Sequence, residues 1–194
     1  RRRRGAPPVT NLLDSPDLLV RPFPTVGPLL RVAYRELDIA ATGTPEQAHV
    51  LGDPRHLPRP WEPATCLPAA LRAEIWAWLD AVVTWLNHEY TWDVNDTIPS
   101  CWPHHPHLVH EIAVLADQRR TAGAELTSDL LEDWHRYSLP SFTDRMHTRL
   151  RTHCEDGHQT WPAKGRHNRH TAERSQTDRA DAFTADVAAA RQPS

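Results

Sequence analysis

The sequence predicts a mostly α protein, a small three-helix domain with a kinked third helix, carried between disordered Pro-rich and polar flanks. Three observations predict it. Apolar residues recur at spacings of three and four over residues 67–160, and no alternation there demands a sheet. Six of the eight tryptophans fall between Trp76 and Trp134, and each buries roughly 150–250 Å² when packed. Most of the 18 prolines lie before residue 70, where they favour an extended chain. These patterns divide the chain into a Pro-rich, largely disordered segment at 1–66, a helical core domain at 67–160 and a polar tail at 161–194.

The elements follow in order. Residues 1–28 carry Pro7, Pro8, Pro16, Pro22, Pro24 and Pro28 and read as an extended tail. Leu30, Ala33, Tyr34, Leu37 and Ala41 fit a helical period, but Leu30, Val32 and Tyr34 equally fit a strand period. Residues 42–66 return to a linker composition. The first helix of the core opens near Pro68, since proline is tolerated at the first helical position. Its apolar stripe is Leu71, Ile75, Trp78, Leu79, Val82 and Leu86, reaching Tyr90, with Trp76 and Trp85 widening it. Asp93-Val94-Asn95-Asp96 ends it as a turn.

The second helix opens at Pro106, with Leu108, Val109, Ile112, Leu115 and Ala116 facing inward and Gly123 as a left-handed cap. The third starts at Thr127 or Ser128, either of which can cap free amides. Leu130, Leu131, Trp134 and Tyr137 continue it, Pro140 kinks or breaks it, and Phe142, Met146 and Leu150 resume it. Short connections favour antiparallel neighbours, as in small bundles. In the tail, Phe183 and Val187 mark a marginal helix.

Charge narrows the function classes. The formal net charge is −3, yet residues 67–160 hold 7 Lys/Arg against 14 Asp/Glu, a balance of −7. That core lacks the cations needed to neutralise phosphates. The run Arg1, Arg2, Arg3, Arg4 is the nucleic-acid candidate, although such runs are commonly solvated tails. No stretch of 18 apolar residues exists, so no membrane span is expected. Cys66, Cys101 and Cys154 cannot make a closed disulfide framework. With no secretory signal in view they read as cytosolic thiols, and the expected location is cytoplasmic. Because the chain begins at Arg1 rather than Met, the lack of a targeting segment weighs little.

Two Cys-x-x-x-His elements carry the sharpest chemistry. Cys101 and His105 lie ahead of the second helix, and Cys154 and His158 lie after the third. Two thiolates and two imidazoles suit a tetrahedral zinc ion. In an antiparallel pair the start of one helix sits beside the end of the other, so the four groups can converge. His104 competes with His105, and His110 and His135 are reserves. The competing reading makes Cys101 and Cys154 small buried hydrophobes and the histidines caps or solvated groups. A third makes Cys101 a nucleophile, its pKa lowered at a helix N-terminus, with His104, His105 or His110 as base and Glu111 as orienter. A fourth is an open zinc site with Glu111 or Glu155 as base.

The string Ile98-Pro99-Ser100-Cys101-Trp102-Pro103-His104-His105-Pro106, the following Leu-Val-His-Glu helix, Trp134-His135, and Cys154 with His158 resemble an actinobacterial family known only as a domain of unknown function and common on plasmids and mobile elements. The resemblance covers about residues 70–160. It implies a cytoplasmic protein of a mobile element and no particular mechanism. The expected function is therefore a non-enzymatic accessory or adaptor protein with a protein partner and a structural zinc site. The alternatives are a nucleic-acid-associated accessory protein using Arg1–Arg4 and the basic tail, and a cysteine- or zinc-dependent hydrolase.

Overall fold

The computed structural model describes residues 18–190, which form helices, short 3₁₀ turns and loops, with no strand among them. They divide into two compact units, one ending at Thr152 and the other beginning at His153. The Arg1–Arg4 run lies outside the described residues. No helix among them is long and apolar enough to cross a membrane.

The first unit is built on α3 (Ala69–Glu89) and α4 (Pro106–Ala124). In α3 the stripe read from the sequence is buried: Leu71, Ile75, Trp78, Leu79, Val82 and Leu86, joined by Val83 and Trp85. In α4, Leu108, Val109, Ile112, Leu115 and Ala116 are buried as their spacing requires. The connection between them is fixed by one amide. Asn87 Nδ2 donates to the Ile98 carbonyl at 2.9 Å, and its Oδ1 accepts from the Ile98 N–H at 2.9 Å.

The core also takes in residues expected to be a disordered flank, and the boundary at residue 66 is corrected accordingly. Helix α1 (Pro28–Thr42) buries Leu30 and Ala33 among the residues of α3 and α4. Cys66 is buried in the same cluster. The physical reason is a set of polar demands made by the core itself. Buried indole N–H groups need acceptors. Trp78 Nε1 donates to the Pro24 carbonyl at 3.0 Å, and Trp85 Nε1 donates to the Arg21 carbonyl at 2.9 Å. Phe23 packs edge-on against both rings.

The start of α1 is held the same way. The Glu74 carboxylate accepts from the Leu29 N–H at 3.2 Å and the Leu30 N–H at 2.7 Å, occupying two free donors of the first turn. Gly27 makes room for it, because a Cβ there would lie 2.4 Å from Glu74 Cδ. Helix α2 (Pro45–Leu51) begins in a capping box between Thr44 and Gln47. The segment before α3 is then tied down by Thr65, whose Oγ1 accepts from the Arg59 N–H at 2.8 Å.

The third core helix also departs from expectation. Short α5 (Asp129–Asp133) passes through a π-helical turn at Trp134–Ser138 into α6 (Leu139–Leu150). Pro140 has no N–H to offer, and it sits in the first turn of α6, where none is needed. The widened turn closes instead through the Leu139 N–H onto the Trp134 carbonyl. Ser128 is the residue that starts α5, as expected, but its side chain makes no capping bond, and α4 runs through Gly123 to Ala124 rather than ending on a left-handed glycine. Trp134 is buried and donates from Nε1 to the Leu115 carbonyl at 3.1 Å.

The second unit holds α7 (Lys164–Thr171) and α8 (Glu173–Ala190). Trp161 lies against the His167 ring at 5.1 Å. The helix expected around Phe183 and Val187 is present, with both side chains exposed.

Candidate metal centre

Each Cys-x-x-x-His element has its own local logic. Before α4 the chain folds into a 3₁₀ turn at Trp102–His104. Trp102 is buried and pins the turn, and its ring lies 6.1 Å from that of Trp76. Pro103 and Pro106 stiffen it, because each fixes its own φ. The His104 N–H donates to the Cys101 carbonyl at 2.9 Å. This corner brings the Cys101 Sγ to 3.4 Å from His105 Nε2.

The second element is a sharp turn. Cys154 is buried with φ +73°, and Gly157 has φ +113°. A left-handed backbone at a non-glycine residue costs roughly 1–2 kcal/mol. Such conformations persist only where the surroundings impose them. The Gln159 N–H donates to the Cys154 Sγ at 3.3 Å.

One ligand atom from each of Cys101, His105, Cys154 and His158 lies within 4.8 Å of all the others. In a tetrahedral zinc site with bonds near 2.0–2.3 Å, neighbouring ligand atoms sit about 3.3–3.8 Å apart. The 3.4 Å Cys101–His105 separation already has that value. The donor set is two sulfurs and two imidazole nitrogens without a carboxylate, which suits zinc. These four residues are thus close enough to bind a metal ion.

The other candidates are placed elsewhere. His104 is exposed and is not in the cluster. His110 is exposed on α4. His135 has its Nε2 3.0 Å from the Tyr90 hydroxyl. Glu111 is engaged by Arg145 at 2.6 Å and also by Arg149. Cys66 is buried, its Sγ 3.9 Å from the Arg59 carbonyl, and burial pushes its thiol up.

His107 was not singled out by the sequence. Its ring lies 5.8 Å from that of His105, and its Nε2 is buried with no hydrogen-bond partner. Burial, helped by Arg149, lowers its pKa. Its position at the opening of α4, two residues after His105, is the signal that would have found it. Compared with family models, curated proteins and solved structures, the chain matches none.

Proposed function

We propose that Cys101, His105, Cys154 and His158 hold one zinc ion in a closed structural site, and that the chain is a non-enzymatic accessory or adaptor protein of a mobile genetic element, acting in the cytoplasm. The observation that carries the metal reading is the clustering of four soft and borderline donors within 4.8 Å. Four protein ligands fill a tetrahedral ion and leave no position for a substrate or an activated water. This argues against the hydrolase alternatives, as does the engagement of Glu111 by two arginines. The adaptor reading is supported by Phe183 and Val187, one helical turn apart on α8 and both exposed, which offer apolar surface to a protein partner.

Elemental analysis of the purified chain tests the metal. About one zinc per chain is expected, and Cys154→Ala should release it. Because zinc binding is coupled to folding, loss of the ion should also lower stability by several kcal/mol. Protein without stoichiometric metal, or a Cys154→Ala variant that keeps it, would refute the site.

A further inference from the structure

A groove of about 720 Å³ lies on the first unit, away from the four metal-site residues. Its apolar lining includes Phe23, Val26 and Leu131. Three arginines reach it: Arg31 from α1, and Arg119 and Arg120 from α4. Arg120 is already compensated, 3.1 Å from Asp117 and stacked 3.7 Å over the Tyr34 ring. Arg31 and Arg119 have no carboxylate partner among the described residues.

Arg119 is held in an unusual way. Its guanidinium carbon lies 5.3 Å from the Phe23 ring, 5.6 Å from Trp85 and 5.7 Å from Trp134. The aromatic faces stabilise the cation without neutralising it. Its Nε is buried with no partner. Its Nη1 lies toward Gly123, 2.8 Å from where a Cβ at that position would be, and Gly123 is exposed and lines the groove. The missing side chain at position 123 therefore leaves the guanidinium an opening to the groove. A preorganised cation above an apolar floor recognises an anion that carries an apolar body.

We infer that this groove binds a small amphipathic carboxylate, with its carboxyl group on Arg119 and Arg31 and its hydrocarbon portion against Phe23, Val26 and Leu131. A volume near 700 Å³ lies within the range of small-molecule sites, about 300–1,000 Å³. Glu125 also lines the groove and opposes an anion there.

The test is calorimetric titration of the full chain with octanoate, with 1-octanol and inorganic phosphate as separate probes. Saturable binding of octanoate is expected, with octanol and phosphate each at least about tenfold weaker, since each lacks one half of the recognition. Arg31→Gln, at an exposed position that leaves the core untouched, should weaken octanoate about tenfold. Gly123→Ala should weaken it too, by closing the opening over Nη1. Glu125→Gln should tighten it. Circular dichroism of each variant confirms the fold. Octanol binding as well as octanoate would reduce the groove to an apolar patch and overturn the inference. So would the absence of saturable octanoate binding, or unchanged affinity in both Arg31→Gln and Gly123→Ala.

Discussion

Leu30→Ala asks whether α1 belongs to the core or merely rests beside it. Leu30 is fully buried, while its neighbour Leu29 is 41% exposed. Truncation to alanine removes three carbon atoms from the interior, about 2.4 kcal/mol of transfer free energy at about 0.8 kcal/mol per CH₂. A residual cavity adds about 24 cal/mol per Å³, so an incompletely collapsed site of about 50 Å³ contributes roughly another 1.2 kcal/mol. The expected loss is thus about 2.5–4 kcal/mol. Urea unfolding at fixed zinc concentration, followed by far-ultraviolet circular dichroism and by tryptophan fluorescence, measures it. The two probes should move together, because the Trp78 and Trp85 indoles are bonded to the segment leading into α1. Leu29→Ala, in the same helix, should cost well under about 1 kcal/mol. A Leu30→Ala loss no larger than that of Leu29→Ala would show that α1 is dispensable. The same result would restore the domain boundary near residue 66.

Other expectations follow from single contacts. Glu74→Ala removes the carboxylate that accepts from Leu29 and Leu30, and it should cost about 1–2 kcal/mol. Gly27→Ala should cost a similar amount by displacing that carboxylate, and the double variant should fall well short of the sum in a denaturation cycle. Cys66 should resist thiol reagents in the native protein and react only as it unfolds, which timed alkylation with mass spectrometry would read. Its folded pKa is raised by burial above the ordinary value of 9.0. Its contribution to stability is therefore complete below that value and declines as pH rises from there toward the folded pKa. Cys66→Ala should flatten this alkaline slope, and an unchanged slope would remove Cys66 as its source.

The long stripes of α3 and α4 were legible because six and five apolar positions repeat over several turns, and burial followed the pattern at each of them. Helix α1 was not. Leu30, Val32 and Tyr34 satisfy two periods at once, and nothing local reveals that Glu74, 44 residues away, supplies its cap. Pro22 and Pro24 favour an extended chain, but extension is not disorder when tryptophan donors hold the Arg21 and Pro24 carbonyls. Gly123 misled for a related reason: its lack of a side chain serves Arg119, not a helix end. At the candidate metal centre the ligand types and spacing were readable. The choice of His105 over His104 was not, because it depends on the corner that Trp102 and the two prolines impose. The aromatic enclosure of Arg119 draws on residues 23, 85 and 134, and no one-dimensional pattern joins them.

The two indole bonds that secure residues 21–24 act as a molecular gauge. Trp78 and Trp85 expose their N–H protons to solvent as soon as this strap lifts, whereas the Trp134 proton is bonded inside the helical body, to Leu115. Proton exchange at the three indoles therefore separates two kinds of opening. Faster exchange at Trp78 and Trp85 than at Trp134 measures the free energy of releasing the strap alone, and equal rates mean that strap and body open in one step. Three resolved nitrogen–proton signals thus report, without any label, whether this segment is a latch or an inseparable part of the fold.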